Sequence, residues 1–237
     1  MSQAPALPDW GAPRAAGRPG RGRGPRAVGL AGAGVLVVAG GYLLAGTTGA
    51  AVAGVALALL AGVAALWVSA QGRLAVRAAG GRPVSPGEAP RLENLVRGVA
   101  TDLGMAPPAV WIAPEGGPNA LVCKNRAAAL LAVRRSAVDE LTLTELEAVV
   151  AHCLVRVRLG DLGMTAVAAA VGAPGLGPRV GGADDAGAAA VTRYPPALAS
   201  AIAKAAPVSG RWAPFWFVAE GPSHVPSTER IAALEDL

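Results

Sequence analysis

Between residues 27 and 72 the chain carries no charged side chain, and nothing else in it restricts the possible folds as sharply. The run is interrupted at Gly46-Thr47-Thr48-Gly49, which divides it into two apolar stretches at about 28–45 and 50–70. Each is long enough to cross a bilayer, which takes about 20 residues. Composition agrees: a mean hydropathy of +0.44 with 16% charged residues is too apolar for an ordinary soluble domain of 237 residues.

A cleaved secretory signal is the rival explanation, since a basic leader precedes the apolar run. A signal has an apolar core of only about 7–15 residues, so the length favours a hairpin of two spanning helices. The leader carries Arg14, Arg18, Arg21, Arg23 and Arg26, the far flank carries Arg73, Arg77 and Arg82, and the turn between the stretches is bare. Basic flanks stay on the cytoplasmic side. The expectation is a multi-pass protein of the cell membrane with both termini and the main domain in the cytoplasm.

Four segments result. Residues 1–26, rich in Pro, Gly, Ala and Arg, are expected to be a disordered basic tail, 27–72 the transmembrane hairpin, 73–90 a linker, and 91–237 a folded domain long enough to bury its own core. Much of the net charge of +5 lies in the flanks, where each Arg adds about 1 kcal/mol of attraction to anionic lipid. Membrane lipid is therefore an expected partner. Nucleic acid is not, because the Arg-Gly-Arg-Gly at 21–24 has no aromatic residues interleaved with it. Cys123 and Cys153, on a cytoplasmic domain, read as reduced thiols.

Within the folded domain Leu92, Leu95, Val96, Val99 and Leu103 recur at helical spacing and Gly104 ends the run. Short apolar runs at 109–113, 120–123 and 128–133, separated by turn residues, suit a small β-meander. Thr142 with Glu145 fits a capping box, so a helix is expected from about 143 to Gly160. Residues 162–178 are Ala/Gly-rich and broken by prolines; at most they touch the membrane. A further helix is expected in 184–206 and a short one at 227–236, after an aromatic cluster of Trp212, Phe215, Trp216 and Phe217. The class is α+β.

The helix at 143–160 contains His152, and position 156 lies one turn further on the same face. That is the spacing by which two histidines of H-E-x-x-H hold one zinc ion. Position 156, however, is Arg156, and the residue after His152 is Cys153. Leu146, Val149, Val150, Cys153 and Val157 form an apolar stripe, so Cys153 reads as a buried small hydrophobe rather than a nucleophile.

ELEAVVAHCLVRVRLGD, at 145–161, resembles the signature helix of the HtpX-like membrane zinc metallopeptidases, relatives of the CAAX prenyl proteases. Pro118-Asn119-Ala120 resembles the edge strand along that family's substrate groove. Ala183-Asp184 followed by PPALASAIAKA, and SHVPSTERIAAL at 223–234, are similar to the segments after the third zinc ligand and at the end of the domain. The resemblance implies a mostly helical zincin-like metallopeptidase domain behind two spanning helices. It also implies substrate-binding roles for Asn119, Ala120, His224 and Arg230.

The same resemblance identifies what is missing. The family's first histidine, general base, second histidine and third ligand fall on His152, Cys153, Arg156 and Val180, so one of the four is kept. A catalytic zinc takes about three protein ligands, and a fixed cation about 4 Å from a divalent ion costs roughly 8 kcal/mol at an effective dielectric of 20. No catalytic residue, metal or cofactor is expected, although active relatives carry zinc. Asp184 matches a carboxylate that supports a zinc ligand, so Arg156 is expected within ion-pair reach of it. The chain is read as a degenerate pseudopeptidase acting through a peptide or membrane-protein partner. An active zinc endopeptidase with unorthodox ligands, such as Cys123, His152 and His224, is the alternative; a purely structural membrane protein is the third reading.

Overall fold

The computed structural model describes residues 25–114, 116–125 and 128–237; the rest of the basic tail, residues 1–24, lies outside them. Helix α1, Pro25–Ala78, leaves helical geometry at Ala45 (φ −142°) and Gly46 (φ 61°). Glycine reaches positive φ without a Cβ clash. The break sits at the front of the Gly-Thr-Thr-Gly punctuation, and the helix resumes at Thr47. Among the described residues one helix, Tyr42–Ala78, is long and apolar enough to cross a membrane. Its Leu43, Leu44, Leu59, Leu60 and Val63 are all exposed.

The described residues divide into two units, one ending at Ala65 and the other Leu66–Leu237. In the second, α1 ends at Ala78 and the next residues are tied down: β1, Arg82–Pro83, pairs antiparallel with β2, Ala109–Ala113, and helix α2, Pro90–Asp102, lies between them in sequence. β3, Ala120–Asn125, and β4, Ala128–Arg134, complete a mixed sheet of order β1-β2-β4-β3.

This order corrects the meander. The three apolar runs do form strands, but β4 pairs parallel with β2 and antiparallel with β3. β3, the next strand after β2, is therefore not its neighbour: the two lie two strand spacings apart, roughly 10 Å, with β4 between them. β4, with Leu130, Leu131, Ala132 and Val133 all buried, is paired on both sides, and β3 is left as an edge strand.

After a short helix α3, Arg135–Glu140, which the sequence did not announce, α4 runs Leu143–Leu159. Thr142 and Glu145 form the expected capping box, and Gly160 closes the helix at φ 82°. The apolar stripe understates this helix, because Ala148 through Arg156 are buried on every side. A helix enclosed all round is the centre of its domain. It meets β3, α2 and two further helices, α6, Ala183–Thr192, and α7, Pro195–Lys204.

The expected single helix in 184–206 is therefore two. Arg193 adopts φ 55°, and Tyr194, which precedes Pro195, leaves the helical region (φ −143°, ψ 74°), as pre-proline sterics favour. Between α4 and α6 lie α5, Leu162–Ala170, and a 3-10 turn at Pro174–Leu176, and α8, Ser227–Glu235, packs on α7. Gly187 sets the spacing of α6 from α4: a Cβ there would lie 2.7 Å from Val155 Cγ1. That close approach brings the start of α6 against the middle of α4.

Candidate functional site

His152 and Arg156 project from α4, Asp184 and Asp185 from the first turn of α6, and Arg230 from α8; all five are buried. The centre is Asp185. His152 Nδ1 lies 2.8 Å from Asp185 Oδ1, and because an ionised carboxylate can only accept, Nδ1 carries the proton. Arg230 donates from Nε to Oδ2 and from Nη2 to Oδ1 of the same carboxylate, both at 2.7 Å. Burial works to raise the Asp185 pKa, but the hydrogen bonds from His152 and Arg230 outweigh it and hold the carboxyl well below its ordinary range.

Asp184 is held differently. Its Oδ1 accepts from the backbone N–H groups of Gly181, Gly182 and Asp185 at 3.0, 2.7 and 3.2 Å, at the positive end of α6. Burial opposes ionisation here too, yet the His152 ring and the Gly182 and Gly181 N–H groups leave its pKa lowered. Its Oδ2 faces His152 Nε2 at 3.6 Å and Arg156 Nε at 3.9 Å. Arg156 thus lies within ion-pair reach of Asp184 without hydrogen bonding to it. Its nearest hydrogen bond, 2.7 Å from Nη2, goes to the carbonyl of Pro214, and Nη1 lies 3.4 Å from those of Phe215 and Trp216. Burial lowers the pKa of this guanidinium, and Asp184 partly offsets that.

The residues assigned to substrate converge on the same segment, 214–218. Asn119 donates from Nδ2 to the carbonyls of Ala206 and Val218 at 2.7 and 2.8 Å, while its Oδ1 accepts from the N–H groups of Ala120 and Val218. Ala120 O accepts from Phe217 N at 2.8 Å, and Leu121 pairs antiparallel with Trp216. His224 Nε2 is 3.0 Å from Trp216 O, and Arg230 Nη1 donates to Phe217 O at 2.8 Å. Asn119, Ala120, His224 and Arg230 are buried, and each is bonded to the chain's own residues. Burial, with Arg156 and Arg230 nearby, pushes the His224 pKa down to about 4 although Trp216 O favours the charged ring. The free side of β3 thus already has a neighbour, and residues 216–217 lie along it as an added strand would.

No protein-family model and no solved structure matches the chain. It is 38% identical over 91 residues to the HtpX protease homologue of Moorella thermoacetica, covering 38% of this chain and 30% of the relative. It is 34% identical over 99 residues to the homologue of Pelotomaculum thermopropionicum, 41% of this chain and 35% of that one. With the homologue of Bifidobacterium longum it shares 32% over 100 residues, 42% and 33% of the two chains. The chain is related to the HtpX-like peptidases. The matched part spans about a third of the length of these curated HtpX relatives.

A zinc ion, which an HtpX-like centre implies, can be tested against the residues present. Among the described residues, His152, Asp184 and Asp185 place ligand atoms within 4.8 Å of one another. His152 Nε2 is buried without a hydrogen-bond partner, which would suit a metal. The carboxylates do not suit one: both Asp185 oxygens are taken by Arg230, Asp184 Oδ1 by three N–H groups, and Asp184 Oδ2 has Arg156 at 3.9 Å. Two guanidinium charges already balance the two carboxylate charges. The set does not fit zinc. Val180, expected from the sequence at the third-ligand position, is buried and bonds through its backbone to Ser223 and Val225. Cys153 and Cys123 are free, buried thiols pushed up to about 12 by burial, and Cys123 sits in a separate apolar cluster with Phe215 and Trp216. The His-Asp-Asp group does not include Cys123 or His224.

The residue that sequence reasoning missed is Asp185. Its only signal was a second acidic residue directly after Asp184.

Proposed function

We propose that this protein is a membrane-anchored, non-hydrolysing relative of the HtpX proteases that works by associating with a peptide or membrane-protein partner. The observation that carries this reading is Arg156, buried where the second metal-binding histidine would stand and donating to the carbonyls of 214–216. It puts a fixed positive charge in the place of an ion and uses it to hold the chain together. In this reading residues 27–72 form a two-span hairpin, both termini face the cytoplasm, membrane lipid surrounds the anchor, and nucleic acid has no part. Partner binding goes through surfaces other than the β3 edge, since 216–217 already line it.

A second reading, an enzyme with an unorthodox metal, is favoured by one observation, the unpartnered Nε2 of His152. Metal analysis separates the two. Protein purified in detergent without chelator is expected to hold well under one zinc per chain and to leave an unfolded protein substrate intact. Stoichiometric zinc together with chelator-sensitive cleavage would replace the first reading with the second.

A further inference from the structure

Helix α5 presents a stripe of apolar side chains to the outside. Met164, Val167 and the C-cap residue Val171, at i, i+3 and i+7, are 54%, 37% and 61% exposed, and Leu176 in the following 3-10 turn is 60% exposed. The opposite face, Leu162, Thr165, Ala168 and Ala169, is buried. At nine residues α5 is about 14 Å long and cannot cross a bilayer.

Its attachments indicate what covers the outer face. The Trp67 indole donates to Ala170 O at 3.2 Å, and Trp67 belongs to the candidate membrane span Tyr42–Ala78. Trp67 precedes the first charged residue after the apolar run, Arg73, by six residues, or about 9 Å of helix. That is where the aromatic belt of a membrane protein sits. Arg211, itself exposed, donates to Ala169 O and Ala170 O and stands 5.8 Å over the Trp67 ring. Whatever depth Trp67 occupies, the C-terminal end of α5 shares it, with the Arg211 guanidinium beside it.

We infer that α5 and the turn after it lie flat in the boundary between lipid headgroups and acyl chains, with Met164, Val167, Val171 and Leu176 inserted and Arg211 at the phosphates. A short helix with one apolar face suits this in-plane position. The contact would seat the domain against the bilayer. The inference rests on reading Tyr42–Ala78 as a membrane span.

The test uses the full chain reconstituted in vesicles of phosphatidylethanolamine and phosphatidylglycerol, with nitroxide labels on M164C, V167C and V171C. Cys123 and Cys153 are fully buried, so the labels go to the introduced cysteines. V55C, on an exposed position within the span, reports lipid, and E140C, on the exposed end of α3, reports water. The three α5 labels are expected to show an oxygen-to-nickel accessibility ratio several-fold above that of E140C and below that of V55C. Labels on α5 that match E140C while V55C reads as lipid would overturn the inference and leave the anchor standing. Labels shielded from both reagents would mean a protein partner or second copy covers α5, which also overturns it. If V55C itself reads as aqueous, the anchor fails and the inference with it.

Discussion

Arg230 and Asp185 meet through two parallel hydrogen bonds of 2.7 Å, in a site where neither residue is more than 5% exposed. The His152 ring shares the same carboxylate, so one aspartate joins α4, α6 and α8. Gly181, at φ 98°, makes this possible, since a Cβ there would lie 2.4 Å from Arg230 Cδ.

Asp185→Asn should therefore destabilise the domain by about 3–5 kcal/mol, because it strands a buried guanidinium. The double variant Asp185→Asn, Arg230→Met should recover part of that loss, since no unpaired charge remains. Thermal unfolding in detergent checks both, and a single variant as stable as wild type would mean that the pair contributes little.

The acid side of the stability profile should have two parts. His224 has a folded pKa of about 4 against an ordinary 6.5, so between these values the unfolded chain binds more protons. Stability is then intact above about pH 6.5 and falls by about 3 kcal/mol as pH drops to about 4. Asp184 and Asp185, whose pKa values are lowered, add stability that is present above their unfolded value of about 3.9 and is lost as pH falls further. Denaturant titrations of wild type and His224→Gln across this range check the first part: the stability of wild type relative to the variant should fall by about 3 kcal/mol between pH 6.5 and pH 4 and stop changing below that.

Zinc binding should be restorable in steps. Arg156→His removes the cation but supplies only a second ligand, so alone it should take up little zinc. Adding Val180→Glu completes three ligands, and uptake should first appear there. Cys153→Glu then adds a general base, worth about 100-fold to 10,000-fold in rate, and cleavage of an unfolded protein should appear only in this triple variant. Metal content and chelator-sensitive cleavage are the readouts. A folded triple variant that takes up no zinc would mean that Val180 does not face His152.

Reporter fusions at each end should place both termini in the cytoplasm, as the arginine flanks require. An external C-terminal domain would contradict the hairpin.

The parts of the fold legible in the sequence are those governed by nearby residues. The Thr142–Glu145 box and Gly160 bound α4 within one residue at each end, and the three apolar runs are strands. Strand order was not legible, because it depends on which strand gains most from two neighbours, and periodicity is silent on that. Asp185 was missed for a related reason. It and Asp184 sit about 100° apart on α6, and which of them hydrogen-bonds His152 depends on how α6 is rotated against α4, which no local pattern in the sequence fixes. Arg156 could be expected near Asp184, but not on the carbonyls of 214–216, since that irregular segment has no repeating pattern to position it.

The pairing of Leu121 with Trp216 changes what an outside peptide would have to do at this sheet edge. A covalently tethered occupant competes at an effective concentration of order 1 mM, whatever the supply of free peptide. Against a resident strand of equal intrinsic strength, a peptide able to bind the bare edge at about 1 μM would be weakened about 1,000-fold. Loosening one of the bonds that hold residues 214–218, such as those from Asn119, would therefore raise peptide access to this edge with no change in the peptide itself.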